Sequence, residues 1–379
     1  MTLLPAAIEP FAPSVYRRRL EGVAGEADRR GLAALLVTPS PDYAYLLGYL
    51  PPALERLTCL VLPASGSPSL VVPRLEEPLA RHQLGELADD VELVGWEETD
   101  DPFRLVRRLL SGATGRMGVQ DQMHARFVLR LRAALDPVEL VEAGPSISAL
   151  RRVKDAGEID RLRAAAAAAD AAMDQVTAEP LAGRTEADVS RRVNELLLGA
   201  GHETADFAIV ASGPNAASPH HEAGQRVIGV GDAVVLDIGG TLAGYCSDTT
   251  RTAFVGEPAG DFADLYAVLR AAQAAACDAV APGVMAEAID AAARDVIAEA
   301  GFADRFIHRT GHGIGMETHE EPYLVAGNEE PLQNGNVFSV EPGIYLEGQW
   351  GARIEDIVVC TDSHGERLNT SSRELRIVD

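Results

Sequence analysis

The chain has 379 residues, 47% of them apolar, and a formal net charge of −24. A chain of this length and composition is typical of a globular protein with two domains. The negative charge argues against binding to nucleic acid through the overall field of the protein. The absence of a run of about 18 apolar residues excludes a membrane-spanning helix. The first residues do not show the basic segment and long apolar segment of a signal peptide. We therefore expect a cytoplasmic protein without a signal peptide.

The first part of the sequence alternates between helices and strands. Residues 1–30 are polar and are predicted to be helical, and residues 136–145 are predicted to form a last strand and a linker. Between them, apolar runs bounded by glycine, proline and serine predict strands. The strands are predicted at residues 33–37, 58–62, 69–72, 91–94 and 117–119, and the helices at 101–111 and 123–135. This alternation predicts an α/β domain over residues 1–144.

The second part, residues 145–379, groups its helices and strands differently. Alanine-rich or N-capped segments predict helices, and short apolar runs predict strands. The helices are predicted at residues 159–173, from 185 onwards, at 260–281 and at 286–300. The strands are predicted at residues 208–212, 227–230, 337–340, 343–347, 353–360 and 376–378. This order predicts an α+β domain with helices against an antiparallel sheet.

A predicted hairpin at residues 234–248 carries two carboxylates in an apolar setting. Asp237 lies within a run of valine, leucine and isoleucine, and Asp248 follows eleven residues later, beyond a glycine-rich turn. A hairpin centred near Leu242 would put the two aspartates roughly opposite each other on one face of the sheet. Facing carboxylates in such a setting indicate either a shared proton or a bound metal.

A second predicted hairpin, residues 338–359, repeats this arrangement. Glu341 and Glu355 both lie in apolar strands, and the turn falls midway between them, near Gly348. Four carboxylates from two hairpins would repel one another strongly without a cation. A divalent metal ion satisfies such a set of oxygen ligands, so the sequence favours a metal over a shared proton.

Histidines extend this candidate metal site. His312 lies between two glycines, which permit close approach of the backbone. One imidazole added to four carboxylates suits Mn²⁺, Co²⁺, Fe²⁺ or Zn²⁺ better than Ca²⁺. His319 follows seven residues later and is predicted to lie in the same pocket. The adjacent residues His220 and His221 follow a proline, and only one of them can point inward if the loop is extended.

Six motifs surround these residues. In chain order they are Leu-Asp237-Ile-Gly, Ser-Asp248-Thr-Thr-Arg-Thr, Gly-His312-Gly-Ile-Gly, His319-Glu, Val-Glu341-Pro-Gly-Ile-Tyr and Arg-Ile-Glu355-Asp. The set resembles the motifs of the pita-bread metallopeptidases, family M24. Residues 150–159 and the N-terminal domain resemble the proline-specific branch, which includes prolidase and aminopeptidase P. The resemblance implies a creatinase-like α/β domain at residues 1–144 and a pita-bread catalytic domain of the α+β class at 145–379.

The resemblance also implies an activity. It implies a homodimeric enzyme that holds two divalent metal ions per chain, with Mn²⁺ expected, and hydrolyses Xaa-Pro bonds of small peptides. The implied metal ligands are Asp237, Asp248, His312, Glu341 and Glu355. Among the implied catalytic residues, His319 and His220 contact the substrate, with His221 as the alternative to His220. Glu341 is expected to move a proton as well as to bind metal.

Two arginines are candidates for substrate binding. Arg353 lies two residues before Glu355, so it either orients a carboxylate at the site or is a surface arginine. In prolidases that the sequence resembles, an arginine between the second histidine and the first glutamate binds the substrate's carboxylate. Residues 320–336 of this chain contain neither arginine nor lysine. Arg56 of the N-terminal domain, from the same or a neighbouring subunit, is either its replacement or a solvated loop residue.

These residues predict an Xaa-Pro dipeptidase. If nothing closes the pocket beyond proline, the alternative is an aminopeptidase P that acts on longer peptides. A creatinase-like enzyme acting on C–N bonds of small molecules and an inactive binding module are further alternatives. Because all five ligand positions are intact, the sequence argues against both of these.

Overall fold

The computed structural model describes residues 8–258 and 260–379. This part of the chain divides into an N-terminal unit, Glu9–Arg151, and a C-terminal unit over residues 152–379 that also includes Ile8. None of the helices within the described residues is long and apolar enough to cross a membrane.

A mixed sheet forms the centre of the N-terminal unit. Its strands are β1 (Leu32–Val37), β2 (Cys59–Pro63), β3 (Ser69–Pro73), β4 (Glu92–Trp96), β5 (Arg116–Val119) and β6 (Glu139–Glu142). The unit's helices are α1 (Pro13–Arg29), α2 (Pro41–Leu47), α3 (Glu77–Leu84), α4 (Pro102–Leu109), α5 (Ala125–Leu135) and α6 (Gly144–Arg151). The strand order is β4-β3-β2-β1-β5-β6, so the apolar strand β1 lies in the interior of the sheet.

The N-terminal unit differs from the prediction at its ends. Helix α6 extends this unit beyond the boundary predicted after residue 144, and it contacts α1, where a Cβ at Gly22 would meet Leu150. Helix α1 accounts for the described part of the helix predicted at 1–30, and residues 1–7 lie outside the described residues. The sequence did not predict α2 and α3, which are short helices of seven and eight residues with a proline in the first turn.

Two sheets, each with its own pair of helices, form the C-terminal unit. The helices are α7 (Ala156–Val176), α8 (Glu186–Gly199), α9 (Gly260–Ala279) and α10 (Ala286–Glu299). The strands are β7 (Thr204–Ser212), β8 (Ala233–Leu242), β9 (Tyr245–Cys246), β10 (Thr249–Val255), β11 (Gly311–Gly313), β12 (Glu320–Leu324), β13 (Val337–Val340), β14 (Gly343–Leu346), β15 (Trp350–Arg353), β16 (Asp356–Cys360), β17 (Gly365–Arg367) and β18 (Arg376–Val378).

The first of these sheets has the order β18-β10-β8-β7 and shares a core with α7 and α8. The second has the order β12-β11-β13-β16-β17 and shares a core with α9 and α10, while β14 and β15 pair with each other. A bridge between Thr250 and Glu355 joins the two sheets. Apolar strand faces therefore bury against amphipathic helices on both sides, which is the predicted α+β class.

One predicted strand of this unit is wrong. Residues 227–230 form no strand, because Val227 makes only an isolated bridge with Thr185 and Val230 is exposed to solvent. A short apolar run forms a strand only where a neighbouring strand pairs with it along its length, whatever its composition.

Candidate metal centre

The first acidic hairpin is formed by β8, β9 and β10. Its turn is Ala243-Gly244, where both residues have positive φ, 50° and 77°. Asp237 therefore lies opposite Thr250. The two aspartates were predicted to lie roughly opposite each other on one face, with the centre of the hairpin near Leu242, whereas the pairing is centred between Ala243 and Gly244. Asp248 is two residues from Thr250, so the two aspartates are diagonal neighbours on the same face.

The second acidic hairpin has the predicted register. Val340 pairs with Asp356 and Gly343 pairs with Arg353, on either side of the two glutamates. The same register continued through Glu341 and Glu355 places them opposite each other. The turn lies at Gly348, whose φ is 73°, as the midpoint of the sequence predicted.

Strand β11 brings an imidazole between these hairpins. It lies between β12 and β13, and a Cβ at Gly311 or Gly313 would overlap a neighbouring backbone carbonyl group. The His312 backbone N–H donates to Ser339 Oγ at 3.0 Å. Its Nδ1 lies 3.1 Å from the Gly313 carbonyl oxygen, which can only accept, so Nδ1 carries the proton. The lone pair on Nε2 is therefore available to a ligand.

The donor atoms of these residues converge. One donor atom each of Asp248, His312 and Glu355 lie within 4.8 Å of one another, and all three residues are buried. His312 Nε2 is 3.6 Å from Asp248 Oδ2 and 3.4 Å from Glu341 Oε1. Of the four carboxylates, Glu341 is the most open, with a side chain that is 16% exposed, against 5% for Asp248.

Crowding of the carboxylates raises their pKa values. Burial, followed by the charges of neighbouring carboxylates, raises the pKa of Asp248 and of Glu355 well above the usual range. Burial raises the pKa of Glu341 to about 7, although the charge of Arg353 opposes this rise. The charge of Asp237 contributes to the increase for all three carboxylates. A divalent cation at this position would remove the repulsion that these shifts express.

The imidazole shows the complementary shift. Burial, and then the neighbouring His319, lowers the pKa of His312 to about 3. His312 is therefore neutral at physiological pH, which is the form that binds metal.

Unsatisfied oxygens provide a direct test of whether a metal fits. Asp237 Oδ2 accepts from Arg353 Nη2 at 2.6 Å, and Glu355 Oε2 accepts from Thr250 Oγ1 at 2.7 Å. The other oxygens, Asp237 Oδ1 and Glu355 Oε1, are buried and have no hydrogen-bond partner among the described residues. Buried polar atoms without partners are rare and costly. One oriented and one free oxygen on each carboxylate fit a metal ion, as does the mixed oxygen and imidazole donor set.

Arg353 lies inside the protein, not at its surface. It is 3% exposed, which rules out the surface alternative. Besides Asp237, its guanidinium donates to the Tyr345 hydroxyl at 2.9 Å and to Thr250 Oγ1 at 3.3 Å. Arg353 thus lies on the second hairpin and orients a carboxylate of the first hairpin, that of Asp237.

The two adjacent histidines of the predicted loop have different surroundings. His221 Nε2 lies 2.9 Å from the buried carboxylate of Glu186, whereas His220 is exposed. His319 lies against His312, with ring centroids 4.0 Å apart. Burial, Arg309 and then His220 lower the pKa of His319, so the His220 imidazole is close enough to interact with it. Of this pair, His221 is bonded to Glu186, and His220 is the exposed histidine that influences the pKa of His319.

Arg56 has acidic partners within its own unit. It donates to Glu98 at 2.9 Å and lies 3.5 Å from Glu76. Its predicted contact with substrate stays a prediction.

Several residues that organise the centre were missed by the sequence analysis. Glu186 accepts from Ser212, Asn215, His221 and the Gly224 backbone, and so fixes the loop that carries His220. Its position at the start of a helix gave no signal for this role. Tyr345 and Thr250 lie within the motifs themselves, where strand alternation could have placed Thr250 beside the ligands.

Comparison with known families agrees with this geometry. Residues 160–362 match Metallopeptidase family M24, and residues 19–153 match the Creatinase/Prolidase N-terminal domain. The chain belongs to metallopeptidase family M24. Members of the family depend on two metal ions, and the buried cluster of Asp248, His312 and Glu355 is present here.

This M24 chain is similar over almost its whole length to dipeptidases. It is 48% identical to the "Probable dipeptidase PepE" of Mycobacterium tuberculosis, over 97% of this chain and 98% of the relative. It is 31% identical to the Xaa-Pro dipeptidase of Pyrococcus horikoshii, over 92% and 95% of the two chains. The crystal structure of dipeptidase PepE from Mycobacterium ulcerans matches with a TM-score of 0.91 at 48% identity, covering 98% of this chain and 100% of that one.

These similarities confirm three predictions. The chain belongs to the proline-specific branch of M24, it has the creatinase-like and pita-bread fold, and it is a metallo-exopeptidase. The creatinase-like hydrolase and the binding module are therefore not the function of this chain.

Proposed function

We propose that this M24 peptidase is an Xaa-Pro dipeptidase with two divalent metal ions, Mn²⁺ being the native metal. The observation that carries the proposal is the donor set around His312. Buried carboxylates from two hairpins each have one oxygen held by the protein and one left free. Similarity to relatives named Xaa-Pro dipeptidase supports the choice of substrate.

Five residues would hold the two ions. They are Asp237, Asp248, His312, Glu341 and Glu355. When bound, two divalent ions supply Lewis acidity, which makes a water more acidic and polarises the scissile carbonyl group. Arg353 and Thr250 fix the carboxylates of Asp237 and Glu355, so that ligand geometry is set before substrate arrives.

Glu341 is the proposed proton carrier. It is the most open of the four carboxylates, and Ser339 Oγ donates to its Oε1 at 3.3 Å. From this position the carboxylate can take a proton from the attacking water and pass it to the imino nitrogen of the leaving proline.

The two exposed histidines are the proposed contacts to substrate. His319 lies directly against His312, so its imidazole can donate to the oxyanion that forms at the scissile carbonyl. His220 is assigned to the carbonyl region on the proline side, because its neighbour His221 is bonded to Glu186. A neutral His319 at physiological pH, favoured by its lowered pKa, still offers one N–H donor.

A peptide series tests the proposal. Mn²⁺-loaded protein is incubated with Ala-Pro, Ala-Pro-Ala and the proline-free control Ala-Ala, and bound metal is measured. We expect cleavage of Ala-Pro only, with about two ions per chain. If neither proline peptide is cleaved, the proposed function is wrong. Parallel loading with Co²⁺, Zn²⁺ and Fe²⁺ tests the choice of metal.

Aminopeptidase P activity is the second candidate, and a specific observation favours it. Residues 320–336 lack a basic residue, and two of their four acidic side chains form ion pairs within the same unit, Glu320 with Lys154 at 2.8 Å and Glu330 with Arg152. If Ala-Pro-Ala is cleaved at least as well as Ala-Pro, the enzyme is an aminopeptidase P.

Assembly and location belong to the same proposal. We infer a homodimer and a cytoplasmic location, which light scattering on the purified protein and cell fractionation test directly.

A further inference from the structure

One arginine of the C-terminal unit lies near the metal centre without an acidic partner. The Arg309 guanidinium carbon is 4.4 Å from the centroid of the Tyr323 ring. No carboxylate within residues 8–258 and 260–379 forms an ion pair or hydrogen bond with Arg309. Other arginines of this unit do have acidic partners, such as Arg294 with Asp290. In a chain with a net charge of −24, an unpaired cation beside four carboxylates requires an explanation.

The backbone fixes where this cation lies. Tyr323 is directly opposite His312 in the antiparallel pair of β11 and β12, so the two side chains share a face. The Thr310 N–H donates to the Leu324 carbonyl at 3.1 Å, and the Thr310 carbonyl accepts from the Glu341 N–H at 2.8 Å. The residue after Arg309 is thus bonded both to the strand of Tyr323 and to a proposed metal ligand.

Electrostatic effects agree with this location. After burial, the charge of Arg309 is the next cause of the lowered pKa of His319. Burial raises the pKa of Glu321, and the charge of Arg309 opposes this rise. The charge of Arg309 therefore influences the pKa values of both His319 and Glu321. Arg309 nevertheless forms no ion pair with Glu321.

The chemistry of a stacked guanidinium limits what it binds. The cation–π contact with the Tyr323 ring holds the guanidinium through its face, which leaves its N–H donors available for a ligand. Such a donor pair matches a carboxylate in bidentate geometry. In an Xaa-Pro dipeptide the only carboxylate that every substrate carries is the C-terminal one, next to the scissile bond.

We propose that Arg309 binds the C-terminal carboxylate of the dipeptide and so selects dipeptides over longer peptides. This inference rests on the proposed Xaa-Pro dipeptidase function. It accounts for the absence of a basic residue in residues 320–336, because this segment supplies Tyr323 as the support for an arginine from a neighbouring strand. Arg309 would be a specificity residue, while Arg56 keeps its acidic partners in the N-terminal unit.

Paired substrates test the role of Arg309. Ala-Pro and its amide, Ala-Pro-NH₂, share the scissile bond and differ only in the carboxylate. We expect the wild-type enzyme to prefer Ala-Pro roughly tenfold to hundredfold in kcat/KM. In Arg309→Gln the ratio of kcat/KM for Ala-Pro to that for the amide should fall to about one, through a higher KM for Ala-Pro. Arg309→Lys should keep part of the preference, because it keeps the charge but loses the planar donor pair.

Two controls accompany these variants. Arg305→Gln removes an exposed arginine of the same segment and should leave the preference as in wild type. Arg56→Gln tests the sequence-based alternative. The proposal is overturned if Arg309→Gln keeps the wild-type ratio, if wild type does not distinguish acid from amide, or if Arg56→Gln alone removes the preference.

Binding of product gives a readout that does not depend on turnover. Calorimetry on Mn²⁺-loaded protein should show tighter binding of proline than of prolinamide for wild type, and equal binding for Arg309→Gln at the same metal content. If wild type cleaves no Xaa-Pro peptide, the proposed function fails, whereas this measurement still decides the role of Arg309. Equal binding of proline and prolinamide by wild type overturns the inference.

Discussion

The two acidic hairpins look alike in the sequence, but the protein holds their carboxylates in different ways. Asp237 of the first hairpin is held by a cation, the Arg353 guanidinium, at 2.6 Å. Glu355 of the second hairpin is held by a neutral hydroxyl, that of Thr250, at 2.7 Å. Each supporting group comes from the other hairpin, so the two carboxylates are oriented only when both hairpins are in place. The two carboxylates therefore differ in the charge of the group that holds them. Variants of these groups can measure how that difference affects stability and metal binding.

The largest effect is expected at the open end of the second hairpin. Glu341→Gln removes the proposed proton carrier and one negative ligand, so we expect kcat to fall about 10³-fold. Glu347→Gln, in the exposed turn of the same hairpin, is the matched control and should retain wild-type kcat. Steady-state kinetics and metal content are measured for both. Activity of Glu341→Gln within tenfold of wild type, at full metal content, would remove Glu341 from the mechanism.

The second largest effect is expected from replacing Arg353, the cation that holds Asp237 of the first hairpin. Arg353→Gln leaves buried carboxylates without their cation, so the free energy of unfolding of the metal-free protein should fall by about 3 kcal/mol. The loss should be smaller with metal bound, because the ions neutralise the same carboxylates. Urea denaturation with and without chelator measures both values.

A double variant separates this effect from lost packing. Asp237→Asn combined with Arg353→Gln should be more stable than Arg353→Gln alone in the metal-free protein, because the unpaired charge is gone. If the free energy of unfolding of the double variant falls by the sum of the two single changes, Arg353 and Asp237 do not stabilise each other. The ion pair would then not explain how Asp237 is held in place.

The register of the hairpins shows how far sequence reasoning extends. The midpoint between Glu341 and Glu355 coincides with a glycine, Gly348, and the predicted register holds. For the first hairpin the same argument placed the centre near Leu242, whereas the strands are centred between Ala243 and Gly244, because Ala243 adopts a positive φ of 50°, which an alanine rarely does. Apolar periodicity and motifs predicted both fold classes and placed the acidic residues in one region. They did not predict the exact turn of the first hairpin.

Apolar periodicity and motif spacing could not predict contacts between side chains that are distant in sequence. The bond from Arg353 to Asp237 depends on the bridge between Thr250 and Glu355, which no local pattern encodes. The choice between His220 and His221 as the substrate contact depends on Glu186, a buried carboxylate at the start of α8 that binds His221. Spacing identifies candidate ligands, whereas tertiary contacts decide which of their atoms are free.

A half-buried histidine that contacts the second hairpin, His308, should make stability depend on pH. His308 Nε2 accepts from the Tyr345 hydroxyl at 2.9 Å, and its Nδ1 lies 2.8 Å from the Arg309 carbonyl oxygen. Burial, and then the charge of Arg353, lowers the pKa of His308 to about 4. Arg294 and His220 lower it further, while the hydrogen bond to the Arg309 carbonyl opposes the change.

The direction of this effect follows from proton binding. The unfolded chain binds a proton near the ordinary histidine pKa of about 6.5, above the folded pKa. Stability is therefore complete above about pH 6.5 and decreases as the pH falls towards the folded pKa of about 4. Because the ring is partly screened by solvent, we expect a loss of about 2 kcal/mol.

Variants of the metal-free protein test this prediction. His308→Gln should reduce the slope of stability between pH 6.5 and pH 4, while exposed His364→Gln should keep it. Urea denaturation at a series of pH values measures the slope. An unchanged slope in His308→Gln would assign the pH dependence to other groups, such as buried His202 behind the first hairpin, whose pKa is also lowered by burial.

The smallest effect is expected from the neutral support of the second hairpin. Thr250→Val keeps the shape of a fully buried side chain and removes the hydroxyl that donates to Glu355 Oε2 at 2.7 Å. A single hydrogen bond to a carboxylate contributes about 1 to 2 kcal/mol, so metal affinity should fall no more than about tenfold to thirtyfold. Metal titration monitored by activity and by calorimetry measures the change.

Thr252→Val is the matched control for this last variant. Thr252 is equally buried on the same strand, but its hydroxyl bonds only to the backbone of Arg353, at 2.9 Å and 3.1 Å. Both variants should lose similar folding stability, because each loses one buried hydroxyl. Only Thr250→Val should weaken metal binding, since only Thr250 contacts a ligand carboxylate. Equal metal affinities in the two variants would mean that the hydroxyl stabilises the fold and does not orient Glu355, and the two hairpins would then differ in charge alone.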